Sequence, residues 1–385
     1  MPIELLVAAG EASGDRAAAN VVGVLKREAP HVRVFGLGGA GLASAGATLL
    51  ADLRQMTALG IGAVAAKGAR IASAHAALVC AARRPSVRAA LLVNYTEFNL
   101  LLAPRLRALG VRVLWYGAPQ IWAWRAARGR AVRASIDRMA VILPFEEELW
   151  RSQGVDAHYV GHPSVEVDAL SREEARERLE LTSRAVAVAI LPGSRPHEVR
   201  ELLPPMLRAF EIVRHDRASV DGRVLLAPSL DAGARRFVVE RAEEARVPVF
   251  EVGPTRGAGH VLRAFDVSLC ASGTAALEAT LARAVPVVTY RVGIVTELVA
   301  RAWLRTPFVA LPNVLLRRAA FTELLQREAT TPALSRALRR AIDGRRELCL
   351  ACDEVDRLLG PQRTPSREVS AMLTPWLRET SLVAS

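Results

Sequence analysis

The sequence predicts an α/β protein of two Rossmann-like, doubly wound halves facing a cleft. Three observations point there. Short apolar runs alternate with helical stretches along most of the chain, as parallel strands joined by right-handed crossovers do. The alternation starts twice, at residue 3 and again near residue 184. Each start is an apolar strand that runs into a glycine-bearing turn and a helix, the opening unit of a doubly wound sheet. The length of 385 residues accommodates roughly two or three domains at about 150 residues each.

In order, the first strand spans residues 3–9 and meets Gly10-Glu11-Ala12-Ser13-Gly14-Asp15, with an Ala-rich helix over 16–27. Further strands are expected at 32–37, 89–93, 111–116, 137–143 and 157–160, and a linker over 161–171. The second series opens on a strand at 185–191 that ends in Pro192-Gly193-Ser194-Arg195, followed by a helix over 198–214. Its other strands are expected at 223–227, 247–252, 266–270 and 285–290. Helical periodicity fills 332–359 with a break at Gly344, and 367–379 with Pro375 kinking or shortening it. In that last helix Val369, Met372, Leu373, Trp376 and Leu377 share one face. It reads as docking on the core, with a dimer contact or a membrane-surface helix as the alternatives. The expected domains are 1–165, 172–345 and a helical tail 346–385 packing back on the first.

Hydrophobic residues make up 51%, which excludes a disordered chain. The net charge is +12, from 51 basic and 39 acidic residues; only Lys26 and Lys67 are lysines, so 49 are arginines. That bias has two readings: the default output of a GC-rich genome, or a positive face toward phosphate or anionic lipid. Basic residues form no long block, which argues against a nucleic-acid tail. The opening Met1-Pro2-Ile3-Glu4 lacks the basic region of a secretory signal. The longest charge-free stretch, 34–51, contains five glycines and does not read as a membrane span. Cys349 and Cys352 form a C-x-x-C with no second pair, so they read as sharing a helix face in a reduced cytoplasmic protein. No metal site is expected.

Three turns at strand ends carry candidate chemistry, because open α/β sheets bind ligands beyond the carboxyl ends of their strands. Gly10 to Asp15 serves either tight-turn geometry or ligand contact. In Leu191-Pro192-Gly193-Ser194-Arg195-Pro196-His197-Glu198, a fixed cation beside a helix start suits a diphosphate, against the plainer reading of a capped junction. In Ala271-Ser272-Gly273-Thr274-Ala275-Ala276-Leu277-Glu278, the hydroxyls can cap the helix or donate to phosphate, and Glu278 can accept both hydroxyls of a ribose.

Together these motifs resemble the lipid-A-disaccharide synthase family. The resemblance rests on Gly10 to Asp15, Gly36-Leu37-Gly38-Gly39, residues 52–60, and Trp122-Ala123-Trp124-Arg125 with Tyr116 and Pro119 ahead of it. It continues through Pro144-Phe145-Glu146, Val160-Gly161-His162-Pro163, 191–195, 272–278, Leu311-Pro312-Asn313 and Glu323-Leu324-Leu325-Gln326, covering residues 3–330 in order. It implies a GT-B fold and an inverting glycosyl transfer. UDP-2,3-diacylglucosamine would react with 2,3-diacylglucosamine 1-phosphate to give a β-1,6 disaccharide 1-phosphate and UDP. It implies UDP-sugar binding by Gly193, Ser194, Arg195, Ser272, Gly273, Thr274, Glu278, Asn313, Glu323 and Gln326. On the acceptor and lipid side it implies Ser13, Gly14, Asp15, Asn99, Trp122, Arg125, Met56, Leu59 and Ile61. No cofactor and no essential metal are expected, because Arg195 and helix dipoles can neutralise the leaving group.

The implied acylated glucosamine substrates require an apolar, membrane-facing patch. Residues 56–79 supply the first candidate, mixing apolar residues with Lys67 and Arg70, and 298–304 the second. The alternative for 56–79 is an ordinary core helix. The expected partners are these substrates and an anionic inner-membrane surface, with a homodimer in view and no nucleic acid. The expected location is cytoplasmic, peripheral on the inner face of the inner membrane.

One departure bears on mechanism. Where the family usually reads Asp-x-Pro-Asp-Phe-Asn, this chain has Asn94-Tyr95-Thr96-Glu97-Phe98-Asn99. The first aspartate is the family's candidate base, and asparagine takes no proton at neutral pH. Three readings follow: Glu97 or Glu11 serves as base; the chain is a paralogue with a different acceptor; or it binds UDP-sugar or lipid with weak or no transfer. A UDP-GlcNAc 2-epimerase-like protein is the competing enzyme class with the same layout, opposed by residues 122–125 and 11–15.

Overall fold

The computed structural model describes residues 2–53, 63–123, 128–182, 184–217, 219–291 and 306–378. It divides into two compact units, one running to Pro163 and resuming at Gln362, the other spanning Ser164–Pro361.

In the first unit β1 (Glu4–Ala9), α1 (Ala12–Glu28), β2 (Arg33–Gly38), α2 (Ala40–Ser44), β3 (Thr48–Asp52) and α3 (Ala63–Ala82) come first. Then follow β4 (Val87–Val93), α4 (Thr96–Ala108), β5 (Arg112–Tyr116), α5 (Gly129–Ser135), β6 (Arg138–Val141), α6 (Glu146–Ser152) and β7 (Ala157–Tyr159). The strands make one parallel sheet in the order β3-β2-β1-β4-β5-β6-β7. Side chains alternate across a strand, and here both faces are covered, so β1 is apolar from Leu5 to Ala9. Leu5 and Val7 pack with Val21 and Leu25 of α1, whereas Leu6 and Ala8 pack with Leu78, Phe98, Trp115 and Trp150. The sequence pattern does not signal β3; it is a half-exposed edge strand inside the glycine-containing stretch.

In the second unit α7 (Arg172–Arg178) starts at Ser171, which caps it with Glu174. It is followed by β8 (Val186–Leu191), α8 (Pro196–Asp216), β9 (Val220–Leu226), α9 (Ala232–Glu244), β10 (Val249–Glu251), β11 (Val267–Ala271) and α10 (Thr274–Leu281). Then come β12 (Val285–Tyr290), α11 (Leu311–Leu316), β13 (Glu323–Leu325), α12 (Thr331–Asp343) and α13 (Arg345–Leu359). The sheet is again parallel, in the order β10-β9-β8-β11-β12-β13. In both sheets the order reverses between the first strand and the fourth. The three motif turns therefore lie at topological switch points, where such sheets hold ligands.

The expected tail 346–385 is split. Gly344 separates α12 from α13, but α13 stays with the second unit. It buries Cys349, Cys352, Val355 and Leu359, and Arg345 pairs with Asp266 at 3.1 Å. Gly360, at φ 68°, and Pro361 end it, as a left-handed glycine followed by proline does. Only then does the chain return to the first unit, where α14 (Pro365–Leu373) packs on α1. Val369, Leu373 and Leu377 enter the core there, and a 3-10 turn at Thr374–Trp376 replaces helix at Pro375. Among the described residues no helix is long and apolar enough to cross a membrane.

Candidate active site

At the first switch point the chain leaves β4 through two consecutive left-handed residues, Asn94 (φ 49°) and Tyr95 (φ 41°). Asparagine tolerates this region; for tyrosine it costs about 1 kcal/mol or more, so the surroundings must hold it. The Tyr95 ring fills the space over Gly10, where even a methyl group would lie 1.9 Å from it, and stacks on Phe98 at 5.0 Å. Burial, and secondarily the Glu11 carboxylate, push its phenol pKa up, so Glu11 stands close to it. The Asn94 side chain lies against Gly117 and Gly14, and Asn94 N donates to Tyr116 O at 2.9 Å. Asn99 is fully buried and donates through Nδ2 to Asn94 O at 2.9 Å. Ser13, half-buried, sits in the first turn of α1.

The expected acids separate here. Asp15 is buried, and its oxygens accept from Gly39 N at 2.6 Å, Gly41 N at 2.9 Å and Leu42 N at 3.2 Å. It caps α2 and fixes the glycine-rich turn. A Cβ at Gly39 or Gly41 would come within 2.9 Å of this carboxylate, which accounts for the glycines. Glu97 accepts from Arg128 Nη2 at 2.7 and 3.0 Å on an exposed face. Glu11 is exposed at the end of β1. Trp122 lies in a turn and donates through Nε1 to Glu146 Oε1 at 3.0 Å.

At the second switch point Gly193 (φ 117°) and Gly273 (φ 137°) adopt backbone that favours glycine. Arg195 flanks α8 as its N-cap, and half of its side chain is exposed. It pairs with the buried Glu198 at 3.2 Å, and Glu198 also accepts from Ser194 N at 3.3 Å. Tyr290, at the end of β12, joins them: burial and Glu198 raise its phenol pKa, and Arg195 opposes this. The α10 N-terminus presents Thr274 behind Gly273, over which no atom of the described residues lies within 4 Å of a Cβ position. Glu278 is buried one turn in.

Asn313 and Glu323 bond to each other. Asn313 is fully buried and donates to Phe321 O and to Glu323 Oε1, each at 2.8 Å. Glu323 accepts from Val309 N at 2.9 Å and Ala310 N at 3.1 Å, closing the start of α11. Ser272 Oγ reaches Val309 O at 3.5 Å, so this network ties the α11 turn to the α10 turn. Gln326 is half-buried with φ 51°. A separate cavity of about 780 Å³, lined by Val285, Phe321, Arg340 and Leu348 among others, lies at the amino ends of β12 and β13, away from the motif turns.

Met56, Leu59, Ile61 and Arg125, with residues 298–304, lie outside the described residues. In α3, Ala74 and Leu78 face the core, as in an ordinary core helix. Sequence reasoning assigns no role to Tyr95, Arg128, Glu146 or Tyr290. Tyr95 and Tyr290 carry a usable signal, since each sits at the carboxyl end of a strand; Arg128 is one arginine among many.

Two parallel, doubly wound sheets in one chain, each with glycine-bearing turns at its switch point, define a GT-B-type α/β protein. Solved structures agree on that fold. The S. aureus MnaA–UDP co-structure superposes with a TM-score of 0.67 at 10% identity, over 98% of this chain and 97% of that one. The Acinetobacter baumannii MurG structure does so with a TM-score of 0.54 at 13% identity, over 97% and 100%. Residues 5–368 match the family model described as lipid-A-disaccharide synthetase. The lipid-A-disaccharide synthase of Myxococcus xanthus strain DK1622 is 42% identical over 380 residues, 97% of each chain. The chain belongs to the lipid-A-disaccharide synthase family and is a glycosyltransferase.

Proposed function

We propose that the chain joins UDP-2,3-diacylglucosamine to 2,3-diacylglucosamine 1-phosphate, forming the β-1,6-linked disaccharide 1-phosphate and UDP. The observation that carries this reading is the family match over residues 5–368, with the matching motif turns at the two switch points. The second unit takes the UDP-sugar. Gly193 and Gly273 let backbone approach the diphosphate, and the N-termini of α8 and α10 with Arg195 offer positive charge to it. The acceptor 6-hydroxyl attacks the donor anomeric carbon, the bond to the diphosphate breaks, and UDP leaves with the electron pair. Donors already aimed at that charge lower the barrier.

Glu11 receives the hydroxyl proton in this reading. The Asp15 oxygens are occupied by backbone N–H groups, Glu97 is engaged by Arg128, and Asn94 accepts no proton. Glu11 stands at the carboxyl end of β1, beside Tyr95 and across from Asn94. The substrates are acylated glucosamines, and the protein works at the cytoplasmic face of an anionic membrane. No metal is needed, so excess chelator leaves turnover unchanged; a loss restored by magnesium would overturn that point. Purified protein given both substrates should release UDP and form the disaccharide, read by mass spectrometry. UDP-sugar binding without product would overturn the transferase reading in favour of a binding protein.

A further inference from the structure

The buried carboxylate of Glu146 has no part in the chemistry above, yet its placement is specific. It is 1% exposed at the start of α6. One oxygen, Oε2, accepts from Ile142 N at 3.3 Å and Leu143 N at 3.1 Å, closing its own turn at the end of β6. The other, Oε1, reaches 24 residues back to the Trp122 indole N–H at 3.0 Å. The indole also packs edge-on against Phe145 at 5.3 Å. A carboxylate that only closed its own turn would need Oε2 alone.

Trp122 stands at the far end of the turn that leaves β5. The near end is Gly117, which lies against the Asn94 side chain and donates to Ala140 O at 3.0 Å. Between them Ile121 is buried in the core. The turn is thus held at one end beside Asn94 and at the other by Glu146. Burying a carboxylate is costly unless its contacts compensate, and desolvation does push this one up to about 7 against its three donors.

We propose that Glu146 is a positioning residue for the acceptor: through the Trp122 indole it sets the turn that borders Asn94, and with it the acceptor subsite. This rests on the reading that the first unit takes the acceptor. Two variants separate the roles. Trp122→Phe keeps an aromatic edge on Phe145 and removes the N–H. Glu146→Gln keeps one carbonyl oxygen for Ile142 and Leu143 and turns its NH2 toward the indole N–H, where no bond forms.

The test is equilibrium dialysis of a short-chain 2,3-diacylglucosamine 1-phosphate in the presence of UDP, with UDP affinity and melting temperature measured alongside. Each variant should weaken acceptor binding roughly tenfold, the loss of one hydrogen bond to a charged group. UDP affinity should stay unchanged, and the double variant should be no worse than either single one. Unchanged acceptor binding in Trp122→Phe, or losses that multiply in the double variant, would overturn the proposal. So would an equal fall in UDP affinity. If Glu146→Gln fails to fold, Trp122→Phe alone decides. A wild type that binds acceptor without forming product would sink the transferase reading and leave this proposal to be judged on the binding data.

Discussion

Asp15 gives the sharpest test, because its backbone bonds give it a stabilising duty that the sequence motif does not signal. Its carboxylate is 4% exposed and accepts three backbone N–H bonds, from Gly39, Gly41 and Leu42. Alanine at this position removes all three acceptors. Each orphaned buried donor costs about 1–3 kcal/mol, and water entering the small space left behind recovers part of it. Removing one side of a buried charged network costs about 3–5 kcal/mol in total, and that is the loss expected for Asp15→Ala. Asparagine can keep the bonds from Gly39 and Leu42 on its carbonyl oxygen and lose only that from Gly41, so about 1–3 kcal/mol is expected for Asp15→Asn. Urea titration ranks the two, and hydrogen exchange localises the effect: the Gly39, Gly41 and Leu42 amides should lose protection while those of β8 and β11 keep theirs. Both variants within about 1 kcal/mol of the wild type would refute this account. If Asp15→Asn then lost acceptor binding with stability intact, Asp15 would instead be an acceptor contact.

Further tests concern the base, the glycines and pH. Glu11→Gln should lower kcat by about 100-fold or more, the usual scale of general-base loss, while Glu97→Gln should change it by less than about tenfold; the reverse order would move the base to Glu97. Gly273→Ala meets no steric obstacle among the described residues but places a side chain at φ 137°, so about 1–3 kcal/mol of backbone strain should weaken UDP binding by about tenfold or more without changing first-unit stability. Burial raises the folded-state pKa of Glu146 to about 7, so its contribution to stability falls as pH rises from 4.5 to about 7, by at most about 3 kcal/mol. Burial lowers His162 to about 4, so its contribution falls as pH drops from 6.5 to about 4, by a similar amount. The two oppose each other between 4.5 and 6.5. Thermal melts of wild type and Glu146→Gln across that range should show the falling part vanish in the variant and leave the His162 rise.

Much of this protein was legible in its amino-acid order. Strands buried on both faces are near-continuous apolar runs, so β1, β4, β8 and β11 announce themselves, and the glycine turns behind them mark the switch points. The break at Gly344 and the kink at Pro375 follow from local chemistry in the same way. Short edge strands such as β3 and β13 escape, because half-exposed residues carry no continuous apolar signal. The course of the tail also had to come from the structure: Gly360 says that a helix ends there, but only packing decides that α13 stays with β12 and that α14 returns to α1.

The divide at the site has the same origin. Sequence alone determined which residue types stand at the strand ends, an asparagine, Asn94, among them. Tertiary structure decided what each carboxylate does, because a carboxylate's role is set by the donors around it. Asp15 meets the N–H groups of a turn about 25 residues away, Glu97 meets Arg128, Glu323 meets Asn313, and Glu146 meets the Trp122 indole. Those partners lie 10 to 31 positions apart in the chain, a separation that no local pattern spans and only the packed sheets and their connecting turns bring within hydrogen-bond distance.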